Sequence, residues 1–335
     1  MAYEGLTNSE LIEFLDLPAD IVDQLRTAQG TTWQAAKNQF LEALYNKVLY
    51  QTVASLDFEN PFKKFDSFPV NFGDTIENIF VEMPSGEKFN PNVTNPFAKA
   101  TPSVKSLYAT INYELKYKTT VEDSLLRRAT LNQYGFMNLI DTIVMQLAKA
   151  ASIDEYFATI AMLNNANIYA QGFETITLPK DNTKEDNAKL ITEKIIDTVT
   201  SFELPKTSNN KLGVMQVTSK KNVLLVIKRT LLNSINLDYL SGVFNLNKVD
   251  LINNIIPVDT FKVAVSGQPS GTVVGEDLDF IILDTNGFDN HVALQDGGLL
   301  YNPESKYTNH YYHLWKIISY KYFYNARAFK TQVAV

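Results

Sequence analysis

The stretch Tyr108-Ala109-Thr110-Ile111-Asn112-Tyr113-Glu114-Leu115-Lys116-Tyr117-Lys118 decides how this chain is read. Ala109, Ile111, Tyr113, Leu115 and Tyr117 alternate with Thr110, Asn112, Glu114, Lys116 and Lys118. Successive side chains of a strand point to opposite faces, so a period of two predicts a β-strand over residues 108–118, apolar on one side and wet on the other. Upstream, prolines recur at Pro61, Pro69, Pro84, Pro91, Pro96 and Pro102. Each removes a backbone donor and crowds the preceding turn, so no helix fits there. Between them, residues 76–83 form a second candidate strand. Two strands joined by a long Pro-rich loop make an extended arm with little core of its own. An isolated two-stranded ribbon is barely stable in water, so the arm needs a surface to lie on.

Ahead of the arm the pattern is helical. Thr7-Asn8-Ser9-Glu10 has the form of a capping box. Pro18 suits the first turn of a short second helix, and Gly30 sits where that helix would stop. A third helix is predicted over residues 32–50, with Trp33, Ala36, Phe40, Leu44 and Val48 on one face. Behind the arm the longest helical pattern covers residues 134–163. Phe136, Leu139, Ile140, Ile143, Leu147 and Ala150 mark its stripe, continued by Phe157 and Ile160. That is a rod of roughly 45 Å at the helical rise per residue. Ala188, Ile191, Ile195, Val199 and Phe202 predict another amphipathic helix, and residues 230–244 a further one. Strands are expected at residues 214–218, 223–227, 255–258, 261–265, 280–283, 314–320 and 324–330, with a flexible loop over 267–275.

The bulk numbers fit a large folded protein. The chain has 335 residues, 45% hydrophobic and 20% charged, enough for one large domain or two joined ones. A net charge of −7 without long single-sign blocks argues against a dedicated nucleic-acid binder, which would cluster Lys and Arg. With no cysteine, disulfides, thiolate metal sites and cysteine nucleophiles are excluded. The opening Met1-Ala2-Tyr3-Glu4-Gly5 has neither the basic nor the apolar region of a signal peptide, and no stretch is apolar for long enough to predict a membrane span.

Chemical motifs are scarce. There is no Gly-rich phosphate loop, Gly-x-Ser-x-Gly elbow or His-Glu-x-x-His. Of the three histidines, His310 and His313 are the one conceivable metal pair, with Asp284 or Glu304. Their neighbours read as strand, where positions three apart face opposite ways, so hydrogen-bonded strand histidines are the better reading. Glu122/Asp123, Asp154/Glu155 and Glu276/Asp277 are adjacent carboxylates that diverge on any regular element, and they read as solvated charge. The aromatic residues Tyr301, Tyr307, Tyr311, Tyr312, Trp315, Tyr320, Tyr322, Phe323 and Tyr324 read as core or subunit interface ahead of a sugar platform.

The order of elements resembles the Hong Kong 97-type capsid fold, an α+β architecture of N-terminal arm, extended E-loop, spine-helix P domain and A domain. Local sequence narrows the resemblance. Asn60-Pro61-Phe62-Lys63-Lys64-Phe65, then Gly73-Asp74-Thr75-Ile76-Glu77-Asn78-Ile79, is similar to the E-loop entry of major capsid proteins of small short-tailed phages (podoviruses) with protein-primed DNA replication. Asp20-Ile21-Val22 with Gln29-Gly30 resembles their N-terminal helix. Phe244-Asn245-Leu246-Asn247 leading to Ile256-Pro257-Val258-Asp259 resembles their A-domain segment. Tyr311-Tyr312-His313-Leu314-Trp315 and Asn325-Ala326-Arg327-Ala328-Phe329 resemble their final P-domain strands. The matches run collinearly over most of the chain. Residues 261–276 depart from the pattern.

The resemblance implies an N-terminal arm at residues 1–65, an E-loop at 66–119, a P domain with spine helix at 120–180, an A domain at 181–300 and returning P-domain strands at 301–335. Because the chain stops at Val335, it also implies no C-terminal immunoglobulin-like domain. The implied function is structural, with no catalytic residue, cofactor or metal. Copies would assemble into hexamers and pentamers of an icosahedral or prolate shell around double-stranded DNA, with a scaffolding protein and a portal as partners and no membrane. Assembly would take place in the host cytoplasm. Candidate intersubunit residues are Phe62, Lys63, Lys64, Phe65, Ile76, Ile79, Tyr113, Leu115 and Tyr117. Arg127 and Arg128 are candidates to face the DNA. The nearest rival is a cellular encapsulin-type nanocompartment shell of the same fold. More distant are a polysaccharide hydrolase and a tail or adhesion protein that binds sugar.

Overall fold

A computed structural model of the chain describes residues 17–18, 20–52, 58–71, 73–88, 99–124, 146–235, 254–267 and 273–334. In chain order the elements are α1 (Ile21–Thr27), α2 (Gly30–Thr52), β1 (Ile76–Val81), β2 (Val104–Ala109), β3 (Tyr113–Glu122), α3 (Gln146–Leu163), β4 (Phe173–Leu178) and α4 (Lys184–Phe202). Then come β5 (Val223–Lys228), α5 (Arg229–Leu232), β6 (Ile255–Val258), β7 (Val263–Ala264), β8 (Val273–Val274), β9 (Phe280–Asp284), β10 (Phe288–Asn302), β11 (Tyr307–Tyr320) and β12 (Ala326–Val333). The chain divides into two compact units. One comprises Met1–Lys63, Tyr113–Tyr156 and Leu294–Trp315; the other comprises Lys64–Asn112, Phe157–Ala293 and Lys316–Val335.

The core of the second unit is a five-stranded sheet in the order β4-β12-β9-β5-β6. β12 runs parallel to β4 and antiparallel to β9; β5 runs antiparallel to β9 and parallel to β6. β5 (Val-Leu-Leu-Val-Ile-Lys) and β9 (Phe-Ile-Ile-Leu-Asp) are buried on both faces, which is why they read as continuous apolar runs without alternation. α4 opens on a capping box: the Thr183 hydroxyl accepts from the Asp186 amide while the Asp186 carboxylate accepts from the Thr183 amide. Its stripe of Ile191, Ile195, Val199 and Phe202 packs among Val223, Leu225, Ile227, Phe280, Ile282 and Phe329. At the end of α3, Asn164 holds the β7–β8 hairpin region. Its Nδ2 donates to the carbonyls of Phe261 and Glu276, and its Oδ1 accepts from the Glu276 amide.

In the first unit, α2 buries Trp33, Ala36 and Phe40, the face that the spacing predicts. Tyr113–Glu122 belongs to the three-stranded sheet ordered β10-β11-β3.

Several expectations change. The run 108–118 is two strands, because Asn112 interrupts the backbone ladder. Its amide donates to Lys316 O, its Nδ2 donates to Ile318 O, and its Oδ1 accepts from the Ile318 amide. A side-chain amide thus takes over part of the pairing while the phase of two continues. Gly30, at φ +61°, opens α2 instead of closing α1. Residues 214–218 form no strand beyond a single bridge between Lys206 and Gln216. The 15-residue β10 has no counterpart among the expected strands. Residues 7–10, 134–145, 236–250 and 268–272, where a capping box, the start of the long helix, much of the 230–244 helix and part of a loop are expected, lie outside the described residues.

Truncation at the centre of α4 tests this packing. Ile195→Ala is expected to cost about 2–5 kcal/mol in denaturant unfolding. Leu190→Ala, on the exposed side of the same helix, is expected to stay within about 0.5 kcal/mol.

Candidate assembly surface

β1 and β2 form an antiparallel ribbon with Ile76 opposite Ala109, Ile79 opposite Ser106 and Val81 opposite Val104. Alternation gives the ribbon two faces. Ile76, Asn78, Phe80, Lys105, Leu107 and Ala109 turn inward within the second unit. There Phe80 packs on Phe323 with centroids 5.4 Å apart, Asn78 Nδ2 donates to Asp289 Oδ2 at 2.6 Å, and Lys105 Nζ donates to Leu212 O at 2.9 Å. The outward face carries Ile79, Val81, Val104 and Tyr108, with Met83 just beyond β1, each between 54% and 69% exposed. The Tyr108 hydroxyl donates across the ribbon to Glu77 Oε1. Apart from Glu77 and Ser106 the exposed face of the ribbon is apolar, and such a face on a sheet edge is a surface suited to covering.

The root of the ribbon is pinned by buried charge. Asp66 bridges to Asn290 in parallel sense, the Ser67 amide donates to Asn290 O at 2.8 Å, and the Val70 amide donates to Val292 O at 2.9 Å. The buried Lys316 reaches Asp66 Oδ2 at 2.7 Å. His291 Nδ1 lies 2.8 Å from the carbonyl of Phe68, and its Nε2 lies 3.2 Å from Asp289 Oδ1. Phe65 stacks on Phe288 with centroids 4.4 Å apart and planes 2° from parallel.

The candidate contact residues separate into distinct environments. Ile79 lies on the outward face and Ile76 on the inward one. Lys63 and Lys64 are exposed, whereas Phe62 is buried and packs near Tyr156. Tyr113 is buried, and Leu115 and Tyr117 are half-buried on the same side of β3. The Tyr113 and Tyr117 hydroxyls are 3.0 Å apart, and burial pushes both phenols above their ordinary pKa. Arg127 and Arg128 lie outside the described residues.

Sequence reasoning missed a buried ion pair in the first unit. Lys37, fully buried on α2, meets Asp123 Oδ1 at 2.9 Å and lies 3.7 Å from the centroid of the Tyr301 ring. Tyr301 donates to Asp123 Oδ2 and accepts from Gln34 Nε2. Burial lowers the Lys37 amine, and Asp123 pulls it back up. The signal was present: Lys37 lies four residues after Trp33 and three before Phe40, a cation inside an apolar stripe. Asp123 is therefore no solvated charge, and Glu155 is likewise buried. His310 and His313 lie on β11 facing opposite ways, as the strand reading requires. Tyr312, Tyr320 and Phe323 are core residues. Among the described residues no three His, Cys, Asp or Glu side chains gather as a metal site, and no helix is long and apolar enough to cross a membrane.

Burial and the nearby Lys37 lower His310 from 6.5 to about 4. The unfolded chain then binds the proton more tightly than the folded one. His310's contribution is complete above pH 6.5 and is lost as pH falls toward about 4. Urea unfolding between those pH values is expected to show a loss on the order of 3 kcal/mol from this group, and His310→Gln is expected to flatten that part of the profile.

A family profile described as "Phi29-like phage major capsid protein" matches residues 20–330. The major capsid protein of Bacillus phage PZA is 24% identical over an alignment covering 92% of this chain and 72% of that protein. That of Bacillus phage B103 is 26% identical over 89% of this chain and 64% of that protein. The chain thus spans about two thirds of the length of these relatives. Among solved structures, the capsid of Staphylococcus phage Andhra superposes with a TM-score of 0.63 at 14% identity, covering 84% of this chain and 86% of that one.

Proposed function

The chain belongs to the Phi29-like phage major capsid protein family, and from that membership we propose that its copies join through the outward face of the β1–β2 ribbon. Its place is the virion capsid, its fold is of the Hong Kong 97 type, and its role is to form the shell. The observation that carries the proposal is the exposed row of Ile79, Val81, Met83, Val104 and Tyr108 on a ribbon whose other face is already occupied. Covering that row on an adjacent copy removes apolar surface from water at ~25 cal/mol per Å². Repetition around a closed shell multiplies the contact, so each junction can be modest while the whole persists. Phe65 and Ile76 then act by holding the ribbon in place, Lys63 and Lys64 flank its root, and Phe62, Tyr113, Leu115 and Tyr117 support the chain from within.

The finer reading follows the same logic. Residues 66–119 serve as the E-loop, between an N-terminal arm at 1–65 and a P domain at 120–180. An A domain at 181–300 and returning strands at 301–335 complete the subunit. Copies form hexamers and pentamers of an icosahedral or prolate shell around double-stranded DNA. They assemble in the host cytoplasm on a scaffold and around a portal. Arg127 and Arg128 supply positive charge toward the DNA.

Ile79→Asp combined with Val104→Asp is expected to leave a soluble, folded subunit and to abolish closed particles in electron microscopy. Normal particles at normal yield contradict the ribbon contact. Reversing charge at Arg127 and Arg128 to Glu is expected to reduce the DNA content of purified particles. Unchanged content rejects their interior role.

A further inference from the structure

β10, 15 residues long, forms one edge of the sheet ordered β10-β11-β3. The chain already adds backbone to that edge once. Asp66 bridges to Asn290 in parallel sense, and the carbonyls of Asn290 and Val292 accept from the amides of Ser67 and Val70. Pro69 has no amide to extend this pairing. Among the described residues nothing else pairs with the outer edge of β10. Residues 294–302 therefore leave a row of backbone donors and acceptors open, with Gln295, Asp296, Leu299 and Leu300 exposed along it.

Open edges are normally guarded by charge, proline or brevity. The other edges of the two larger sheets follow that rule. β3 turns Glu114, Lys116, Lys118 and Glu122 to water, β4 and β6 are six and four residues long, and β6 contains Pro257. Residues 294–302 have no lysine, no proline and a single charge, Asp296.

We propose that the outer edge of β10, residues 294–302, pairs antiparallel with the same edge of a second copy, about a two-fold axis at Gly298. Membership of a shell-forming family makes a second copy the partner at hand. The carbonyls of Asn290 and Val292 fix which backbone groups face the edge, and alternation carries that orientation to Leu294, Asp296, Gly298, Leu300 and Asn302. Gly298 is the middle of this row, so a two-fold axis there lets the two glycines exchange both backbone bonds. On either side Asp296 then meets Leu300. The lone charge stands roughly 13 Å from its mate, four residues along the strand, beyond the ~8 Å Debye length at physiological salt. No like charges face each other directly, which would destabilise the pair. One strand pair is a small contact beside the ~1,600 Å² of a standard interface. It is therefore weak between free subunits and is sustained by repetition around the shell. It is separate from the outward face of the ribbon and does not depend on that contact.

The chain contains no cysteine, so introduced ones report the pairing alone. Full-length Asp296→Cys chains are mixed with Leu300→Cys chains as concentrated, unassembled subunits under mild oxidation. In the proposed register the two positions have Cα atoms about 5.5 Å apart, inside the disulfide range. Either position meets its own mate only at roughly 13 Å. The mixture is expected to give covalent dimers at least about fivefold above either chain alone. Adding Gly298→Lys to both chains is expected to return the yield to the single-chain level, because two ammonium groups then stand directly opposite. Gly298→Ala is expected to keep the yield. Within one copy the space at Gly298 is open and its backbone is not left-handed, so both substitutions are expected to leave circular dichroism unchanged. No excess in the mixture, or an excess that Gly298→Lys leaves intact, overturns the proposal. Adding Ile79→Asp and Val104→Asp is expected to leave the cross-link in place, which tells failure of the ribbon contact apart from failure of this one.

Discussion

A two-stranded ribbon has two faces, and this chain covers only one of them. The inward side of β1 and β2 is held by Phe80 against Phe323, Asn78 on Asp289 and Lys105 on the carbonyl of Leu212. The outward side presents branched and aromatic side chains to water. Backbone pairing alone does not stabilise so small a sheet, and a row of exposed apolar groups makes solitude worse. A neighbouring copy can supply what is missing, and the proposed ribbon contact draws its driving force from that shortage.

The root of the ribbon explains how a weakly self-supporting element can still be aimed. Asp66 and Lys316, His291 and the Phe68 carbonyl, and the stacked Phe65 and Phe288 fix the direction in which residues 66–70 leave the body. Buried ion pairs contribute little net stability, since desolvation offsets attraction, but removing one partner is costly. Their effect in this ribbon is geometric. The same logic applies to Lys37 and Asp123, which tie α2 to the start of the segment after β3 in the first unit.

Much of the design was legible in the sequence because it rests on periodicity. The alternation from Ala109 to Tyr117 correctly separates inward from outward positions even across the break at Asn112. The stripe of α4 and the apolar runs of β5 and β9 were equally plain. The break itself was hidden, because an asparagine side chain that replaces backbone pairing leaves no mark on the alternation. β10 was hidden for a different reason: Asp289, Asn290 and His291 are buried polar residues, and Gly297-Gly298 sits in its middle, so no period of two survives. Lys37 lies inside the apolar stripe of α2, but its partner Asp123 is 86 residues away, so the pairing shows only in the folded chain. Ile76 and Ile79 stand three residues apart on one strand, an odd spacing, and so the two candidates lie on opposite sides.

The most direct measurement is amide hydrogen exchange over residues 76–81 and 104–109, compared between unassembled subunits and closed particles of the same protein. Weak protection is expected in the free subunit and a rise of several-fold or more on assembly, confined to the ribbon, whatever lies beneath it and the outer edge of β10. Equal protection in both states would mean that the chain already covers its own ribbon, and the force that closes the shell would have to come from another surface.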